Sequence, residues 1–422
     1  MSGQTTNSGS PPHTVGKVVC SACGCLCDDI CVSTSQGRIE SVERACDIGL
    51  AWLNRHRDPQ SLPEACVAGI PCTLAEAVAR AAERLKHARA PRISGLTSLA
   101  IEDIQSAVAL ADLLNAAIDH DASETSIERS LAKQRLGIVS ATLGEVRNRA
   151  DLVVYWACDP LTTHPRHVER FIDTPPSRFL PRGRADRCVL VVDKAPNATA
   201  PIADHVFEAD PKEQRAVLAA ARARVLGKPT RCMSSKFDSI LDRFVPILTQ
   251  ARYGALFVGA DVRDATTWEA LLALVRDLNV AGTRRFVLLS LSGAGNAAGA
   301  EAVLGWQAGA PCRVDYARGV PQYRPELRVT SAGTNDVLVW LGEDHDAAAI
   351  DASARVVHIG PGATRPSHTA EIAIQTARAG IDCSGTFMRG DGVMLPARGF
   401  RTSSAPRVAA VLNMIQTAIQ NL

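Results

Sequence analysis

The sequence lacks the features that would place the chain in a membrane, on nucleic acid or outside the cell. It has no run of about 18 or more apolar residues, which argues against a membrane span. Its formal net charge is only +2 and no block is rich in lysine or arginine, so we expect no nucleic-acid partner. Residues 1–16 have neither a basic start nor an apolar core, so we expect a disordered tail rather than a signal peptide or an anchor.

Motifs for hydrolysis or nucleotide binding are missing as well. The sequence has no P-loop, no H-x-H or H-E-x-x-H pattern for hydrolytic zinc, and no G-x-S-x-G elbow for a serine nucleophile. Hydrolysis by this chain alone is therefore disfavoured. His164 and His167 flank Pro165 and Arg166 and could bind a metal or a phosphate, but we favour a role in ordering this loop through hydrogen bonds.

Cysteine, by contrast, is abundant. The chain has 13 cysteines and no secretory signal, which indicates a reducing compartment, so we expect a cytoplasmic protein. Four cysteines near the N-terminus have the spacing C-x2-C-x3-C-x18-C and are called the cysteine quartet: Cys20, Cys23, Cys27 and Cys46. Thiolates three and four residues apart can enclose three sides of a cubane iron–sulfur cluster, while a fourth arrives from a distant turn. A 4Fe-4S cluster is the favoured interpretation. A zinc site with four thiolate ligands and a reduced, ligand-free quartet are the alternatives.

From residue 73 onward, helical and strand patterns alternate. Thr73 and Glu76 form a capping box that predicts a helix over Leu74–Lys86, and Ile101 begins a second helical pattern. Continuous apolar runs typical of strands buried on both faces follow at Leu152–Ala157, Val189–Val192, Ala255–Val258, Phe286–Leu289, Val337–Leu341 and Val356–Ile359. Further helices are predicted at Gln214–Val225, Thr267–Leu278 and Ser239–Val245, the last ending before Pro246. This alternation predicts doubly wound α/β domains.

Ligands of open α/β sheets bind outside the carboxyl ends of the strands. Small or polar residues follow several of the predicted strands, and they are the candidates for a cofactor cleft: Cys158, Asp159, Asp193, Gly259, Gly293 and Asn296. Backbone amides at such turns can approach a phosphate or a pterin. Each turn taken singly is equally consistent with an ordinary tight connection between a strand and a helix.

Together these features resemble a known family. The chain is similar to the B subunit of formylmethanofuran dehydrogenase, a branch of the molybdopterin oxidoreductases related to formate dehydrogenase. The resemblance covers nearly the whole chain after residue 17, and these segments carry it: Cys20–Ile30 with Cys46, Thr142–Asp151, Tyr155–Pro160, His164–His167, Gly305–Gln307 and Val314–Gly319. It implies an α/β fold of the formate dehydrogenase type, with a Cys-rich domain at 17–72, one α/β domain at 73–150 plus 320–422, and another at 151–319. The two α/β domains would share the cleft for a bis-pterin metal cofactor.

One departure from the family bears directly on function. Redox-active members hold the metal with a cysteine or selenocysteine followed by histidine, whereas this chain reads Asp119-His120 in the corresponding turn. No cysteine occurs between Cys72 and Cys158, so no shift of the alignment supplies a thiolate. A soft tungsten or molybdenum centre has therefore lost its protein ligand.

Other positions depart from the family in the same direction. Ser292 and Ala294 stand where redox-active members carry an arginine and a histidine, which removes a cationic donor and a possible proton shuttle. Lys194 and Ala195 stand where an arginine-containing pterin-contact turn is expected. A further set of charged residues could line the vacated cleft or form a buried ion pair between domains: Asp315, Arg318 and Arg324.

The resemblance implies a redox-inactive structural subunit. In this interpretation the chain belongs to the formyltransferase/hydrolase complex of one-carbon metabolism, which converts formyl-tetrahydromethanopterin to formate through a methanofuran-type carrier. Its partners would be the hydrolase, formyltransferase and small subunits, and molybdopterin and tungsten would be absent. One alternative is an active tungsten or molybdenum bis-pterin catalytic chain of formylmethanofuran dehydrogenase. A weaker alternative is an electron-transfer protein that keeps only its cluster.

Overall fold

The computed structural model of the chain describes most of its length. The described residues are 13–230, 235–291, 293, 295–328, 337–343, 355–366 and 370–422. Ser292, Ala294 and residues 1–12 of the expected tail lie outside them. Contacts divide the chain into two compact units: the first spans Met1–Ser123, Ala294–Arg389 and Met394–Leu422, and the second spans Glu124–Gly293 and Gly390–Val393.

The first unit begins with a small antiparallel sheet and a series of short strands and helices. Its elements up to residue 123 are β1 His13–Val18, β2 Ile30–Ser35, β3 Arg38–Glu43, α1 Asp47–Arg55, β4 Ala65–Val67, β5 Ile70–Cys72, α2 Leu74–Lys86, β6 Arg92–Gly95, α3 Ile101–Leu114 and β7 Ala117–Ile118. Strands β1, β2 and β3 pair in this order, and β1 already begins within the segment expected to be a disordered tail. The hydroxyl of Thr73 accepts a hydrogen bond from the backbone N–H of Glu76, which caps α2 as its sequence predicts.

The second unit is a doubly wound α/β domain. Its elements are α4 Ile127–Leu136, α5 Leu143–Arg149, β8 Leu152–Trp156, α6 Pro160–Thr163, β9 Cys188–Asp193, β10 His205–Glu208, α7 Pro211–Val225, α8 Ser235–Gln250, β11 Tyr253–Gly259, α9 Ala265–Val280 and β12 Arg285–Leu291, together with a π-helical turn at Val168–Ile172. The strands form a wholly parallel sheet in the order β10-β9-β8-β11-β12. The chain therefore winds in opposite directions on the two sides of β8, which makes the gap between β8 and β11 the topological switch point.

The chain then returns to the first unit and completes its large sheet. The elements are α10 Ala297–Ala308, β13 Val314–Asp315, β14 Gln322–Tyr323, β15 Val337–Leu341, β16 Arg355–Gly360, β17 Ile372–Gln375, β18 Gly385–Met388, β19 Met394–Ala397 and α11 Val408–Asn421. Among the described strands the order is β14-β13-β7-β6-β15-β16-β17-β4-β5, with β7 to β17 parallel and antiparallel pairs at both edges. Helices α2, α3 and α11 pack together beside this sheet.

The unit boundaries differ from the positions expected from the sequence. They fall after residues 123 and 293, whereas the sequence placed them at 150 and 319. The difference has a packing origin, because α4 packs on α9 in the second unit while α10 packs on α3 in the first. The Cys-rich segment at 17–72 also lies within the first unit.

Most predicted helices and strands are confirmed, and one helix end is wrong. The helix expected to stop before Pro246 continues through it to Gln250. Pro246 lies on the exposed face of α8, where the carbonyl that loses its hydrogen bond can face water. Within the part of the chain that the structure describes, no helix has the length and apolar character needed to cross a membrane.

Candidate functional site

The two segments that carry the cysteine quartet, the loop of residues 20–27 and the start of α1, lie together beside Gly49. The first three cysteines lie in a loop that is closed by a hydrogen bond from the backbone N–H of Cys20 to the carbonyl of Cys27 (2.9 Å). The fourth, Cys46, is the N-cap residue of α1. A Cβ atom on Gly49 would lie 3.1 Å from Sγ of Cys20 and 3.8 Å from Sγ of Cys46. These sulfurs therefore flank the same glycine, and a larger residue there would crowd Cys20.

The thiols of the quartet influence each other electrostatically. Burial, together with the neighbouring charges of Cys23, Cys27 and Cys46, raises the pKa of Cys20 to about 12. Burial likewise raises the pKa of Cys23 to about 11. These two thiols stay protonated at neutral pH unless a metal centre supplies positive charge.

The quartet is not a ready-made site for a single metal ion. Among the described residues, no three His, Cys, Asp or Glu side chains have an arrangement that could hold one. The four sulfur donors have the softness that suits iron or zinc, so the donor set is compatible with either. Occupation of the quartet by a cluster stays a prediction.

Asp119, in the turn where the sequence analysis expects the family's metal-ligating thiolate, is buried, and its carboxylate is fully hydrogen-bonded. Its Oδ1 accepts hydrogen bonds from the backbone N–H groups of His120 (2.9 Å) and Arg313 (3.1 Å), and its Oδ2 accepts one from the hydroxyl of Ser123 (2.7 Å). The Nε of Arg313 lies 3.7 Å from Oδ2, and both side chains are almost inaccessible. A carboxylate has about four acceptor positions, so the chain's own groups satisfy this one.

The electrostatics of this turn are dominated by burial. Desolvation raises the pKa of Asp119, while His120, Ser123 and Arg313 act in the opposite direction. His120 is 1% exposed, and neither of its ring nitrogens has a hydrogen-bond partner among the described residues. The sequence identified the turn but not Arg313, because this arginine comes from a distant segment beside β13.

A second candidate site lies in the second unit, at the carboxyl ends of β8, β9 and β11. A cavity of about 190 Å³ opens there, and its lining residues are Ala157, Asp193, Lys194, Pro211, Gln214, Asp261, Val262, Asp264 and Thr267. A Cβ on Gly259 would lie 1.9 Å from the carbonyl oxygen of Ala157, so only glycine permits the close approach of β11 to the end of β8. The cavity therefore occupies the switch point of the sheet, where such folds bind ligands.

The residues predicted after β8 and β9 organise this edge of the sheet. The carboxylate of Asp193 accepts hydrogen bonds from the backbone of Lys194 (2.7 Å) and from Nδ2 of Asn197 (2.8 Å), and it also lines the cavity. Asp159 accepts hydrogen bonds from the hydroxyls of Thr199 (2.5 Å) and Thr162 (2.7 Å). Cys158 is buried, which raises the pKa of its thiol. Asp193 thus lines the cavity, whereas the Asp159 side chain stabilises the neighbouring loops through its hydrogen bonds.

Asn296 and Gly293 do not join that cavity. Asn296 belongs to the first unit and is fully buried, and its Nδ2 donates to the carbonyl of Leu99 (2.8 Å) while its Oδ1 accepts from the N–H of Met388 (2.8 Å). These bonds tie the turn after β6 to β18, which is a structural task. Gly293 has φ +90°, a conformation that favours glycine.

The sequence analysis missed several polar residues of the second unit's cavity, and two of them, Gln214 and Thr267, are buried. Gln214 is buried, accepts a hydrogen bond from the indole N–H of Trp156 (2.8 Å) and donates to the carbonyl of Ala209 (3.2 Å). Thr267 is buried in the first turn of α9, where its backbone N–H donates to the Asp264 carboxylate (2.8 Å). Both residues lie near the start of a helix that follows a strand, and this position in the sequence could have identified them as candidates for the cavity.

The first unit has a separate polar cavity of about 200 Å³. Its lining residues are His56, Asp58, Pro59, Gln60, Gly362, Gln375, Thr376, Arg378, Asp382, Arg401, Thr402, Ser403 and Ser404. Ion pairs border it: Arg378 meets Glu343 at 2.6 Å, and Arg401 meets Asp382 at 2.7 Å. Burial alone would raise the pKa of Glu343, but Arg378 and His56 outweigh it and hold the pKa at about 2. No residue of this cavity was predicted from the sequence, because its ion pairs join distant segments.

Comparisons with known proteins identify the relatives of the chain. No family model matches it. It is 31% identical over 407 residues to the B subunit of the tungsten-containing formylmethanofuran dehydrogenase 2 from Methanocaldococcus jannaschii, an alignment that covers 91% of this chain and 93% of that protein. The protein of the same name from Methanococcus maripaludis is 31% identical over 412 residues, which covers 90% and 93%. This chain belongs to the family of formylmethanofuran dehydrogenase B subunits. The resemblance drawn from the sequence motifs is thereby confirmed.

A solved structure shares the fold of this B-subunit homologue. The crystal structure is that of the formyltransferase/hydrolase complex from Methylorubrum extorquens in complex with methylofuran. One of its chains matches with a TM-score of 0.72 and 24% identity, covering 85% of this chain and 99% of that chain. The predicted fold class is confirmed by this likeness.

The histidines of the family segment His164–His167 are packed inside the second unit of this B-subunit homologue. His164 contacts the hydroxyl of Thr163 through Nδ1 (2.9 Å), and burial lowers its pKa to about 4. His167 is fully buried, and its ring lies edge-on to that of Phe257 at 4.7 Å between centroids.

The charged residues around β13 belong to the first unit of the B-subunit homologue. Arg324 and Asp315 form an ion pair at 3.5 Å, and the side chain of Arg324 is about half exposed. Both residues lie within that unit, and Arg318 is exposed.

Proposed function

We propose that this chain is a redox-inactive structural subunit of a formyltransferase/hydrolase complex. In that complex other subunits transfer the formyl group of formyl-tetrahydromethanopterin to a methanofuran-type carrier and hydrolyse it to formate. Membership of the B-subunit family and the likeness to a chain of such a complex support the assignment. The expected partners are the hydrolase, formyltransferase and small subunits, and the expected compartment is the cytoplasm.

The observation that carries the proposal is the engaged carboxylate of Asp119. A tungsten or molybdenum centre of the family type takes a soft thiolate from the protein, whereas the corresponding turn here has no cysteine and contains Asp119, a hard oxygen donor. Hydrogen bonds from His120, Arg313 and Ser123 already occupy this carboxylate. Releasing it for a metal would also break its contact with the buried guanidinium of Arg313, whose Nε lies 3.7 Å from Oδ2.

The two cavities inside the single units are small. The two cavities described above measure about 190 and 200 Å³. Pockets for drug-sized ligands commonly measure roughly 300–1,000 Å³, and a pterin dinucleotide is at least of that size. Neither of these two cavities is large enough for a bis-pterin metal group, and we assign no chemistry to one.

The cysteine quartet fits a metal group better than this cleft does. Cys20, Cys23, Cys27 and Cys46 would hold a 4Fe-4S cluster, which would supply one-electron transfer when bound. Without a second metal centre to receive the electron, the cluster would hold the N-terminal segment together.

The alternative function is an active tungsten or molybdenum formylmethanofuran dehydrogenase. The curated relatives favour it, since both are named as tungsten-containing proteins. It predicts stoichiometric tungsten or molybdenum and viologen-linked oxidation of formate. An electron-transfer protein would instead contain iron alone and pass electrons to a dye.

Elemental analysis of the anaerobically purified complex tests these functions. We expect no stoichiometric tungsten or molybdenum and no viologen-linked activity, while assembly and formyl hydrolysis require this chain. A Cys20→Ser variant should lose any bound iron, and Cys31→Ser, which lies outside the quartet, should keep it. Stoichiometric tungsten with viologen-linked activity, or full assembly without this chain, would overturn the proposal.

A further inference from the structure

An arginine-rich surface on the second unit has the composition of a protein docking site. We call it the arginine surface and define it by Arg149, Arg178, Phe179, Arg182 and Arg252. The Phe179 ring is 42% exposed, although large apolar side chains are usually covered. We propose that the arginine surface docks an acidic segment of a partner protein. The proposal rests on the structural role stated above, and it names the chemistry of one contact.

The centre of the surface is an aromatic ring between two guanidinium groups. The Cζ atom of Arg149 lies 4.6 Å from the centroid of the Phe179 ring, and that of Arg178 lies 5.6 Å from it. Arg149 also lies over the ring of Tyr253, at 5.5 Å. Such stacking restrains two flexible side chains before a partner arrives, which lowers the entropy cost of binding.

Two arginines of this surface are much more exposed to solvent than the carboxylates with which they pair. Arg252 pairs with Asp151 at 3.0 Å, but its side chain is 74% exposed while that of Asp151 is 13% exposed. Arg182 pairs with Asp186 at 2.7 Å, with 75% and 13% exposure. The backbone also uses these carboxylates, since Asp151 accepts from the N–H of Tyr253 (2.8 Å) and Asp186 accepts from the N–H of Arg182 (2.7 Å). An approaching protein therefore meets the positive groups first.

Arg178 strengthens the positive character of the surface. Among the described residues it has no carboxylate partner, and its contact is the Phe179 ring. Arg149 pairs with Glu145 only at 3.8 Å, with both side chains about 40% exposed. Because water screens such an exposed pair, its guanidinium remains available to a carboxylate of a partner.

A groove continues from these arginines and supplies room for an extended segment. It measures about 560 Å³ along the amino ends of the second unit's strands, and its charged lining residues are three arginines and three aspartates: Arg182, Arg187, Arg252, Asp151, Asp186 and Asp204. Arg252 directly precedes Tyr253, which Arg149 covers, so the groove and the stacked ring are neighbours. This edge is opposite to the carboxyl ends, where the ligand cavity of the unit lies.

The composition favours a protein as the occupant. Arginine and aromatic residues dominate the energy of protein interfaces, and a central aromatic ring with cations around it matches that pattern. Carboxylates of the partner could form bidentate hydrogen bonds to the guanidinium groups. The charge complementarity commits the proposal to a partner segment rich in aspartate or glutamate.

The decisive variant is Arg149→Glu/Arg178→Glu in the full chain, co-expressed with the other subunits of the complex. Arg243→Glu is the matched control, because Arg243 likewise lies over an aromatic ring, that of buried Phe207 at 5.2 Å, but does not belong to the arginine surface. Native mass spectrometry measures assembly at several salt concentrations. A fluorescent octa-aspartate peptide measures direct binding to the isolated chain by anisotropy, and thermal unfolding reports whether each variant folds.

The double variant should weaken assembly and peptide binding by about tenfold or more and reduce their dependence on salt, while the control stays like the parent. Unchanged assembly with a folded double variant would overturn the proposal, and so would an equal loss in the control. Tighter binding of a DNA duplex than of the peptide would also overturn it. If the parent chain never assembles with the other subunits, the proposed function fails, while the peptide experiment still tests the arginine surface.

Discussion

Replacing Asp119 by alanine should strongly destabilise the first unit. The substitution leaves two buried N–H groups, those of His120 and Arg313, without an acceptor, and an unsatisfied buried group costs about 1–3 kcal/mol. It also removes the carboxylate that lies 3.7 Å from Nε of Arg313, whose side chain is almost inaccessible. Removing one partner of a buried ion pair costs about 3–5 kcal/mol, and this overlaps with the hydrogen-bond loss. We therefore expect a loss of about 3–5 kcal/mol.

Asp121→Ala is the matched control two residues away. The Asp121 side chain is exposed and accepts hydrogen bonds from the backbone N–H (3.2 Å) and the hydroxyl (2.6 Å) of Thr97. Water can replace these bonds, so the cost should be about 1 kcal/mol. Urea unfolding of the isolated chain, followed by circular dichroism, measures both values, and only the transition of the first unit should move.

A double variant separates two effects of Asp119→Ala: the loss of the carboxylate itself and the loss of its interaction with the Arg313 guanidinium. Asp119→Ala/Arg313→Met removes both charges, so it should be more stable than Asp119→Ala alone. If Asp119→Ala costs less than about 1 kcal/mol, or no more than Asp121→Ala, the reasoning about the buried pair fails.

Two further predictions concern His164 and Gly259 of the second unit, and the control for Gly259 is a glycine of the first unit. Because burial lowers the pKa of His164 from 6.5 to about 4, its stability contribution is complete above pH 6.5 and decreases as the pH falls toward 4. Relative to His164→Asn, urea unfolding should show a loss of about 2 kcal/mol near pH 5, and an equal pH dependence in both proteins would contradict this. Gly259→Ala places a Cβ 1.9 Å from the Ala157 carbonyl and should cost about 1–3 kcal/mol or more in thermal unfolding. Gly305→Ala meets no atom within 4 Å in α10 and should instead gain up to about 1 kcal/mol; the same sign for both changes would refute the steric argument.

The parts of the fold that sequence predicts well are those fixed by local physics. Helix α2 has its predicted bounds because Thr73 and Glu76 form the cap. The apolar runs of β8 and β11 are strands because helices cover both faces of a parallel sheet. Pro246 was misjudged because the local rule against proline depends on whether the freed carbonyl is buried, which the sequence does not say.

The site was predictable only where it depends on neighbours in the chain. Asp193 could be placed at the cavity because carboxyl ends of parallel strands share an edge. Asn296 was assigned to the same cleft, yet its amide bonds Leu99 and Met388, partners that only the folded chain brings near. The pairing of Glu343 with Arg378 was invisible for the same reason.

The proposed loss of a metal ligand from the turn at Asp119 is compatible with a stable fold. A thiolate bound to a metal is a buried anion whose charge the metal balances. If the metal is lost, a buried anion must be removed or receive another cation, because an unpaired charge is costly. The turn carries the acid Asp119, and Arg313 supplies a cation from the segment beside β13. In the proposed structural role, this pair keeps the charges balanced without a metal, so the fold does not depend on redox chemistry.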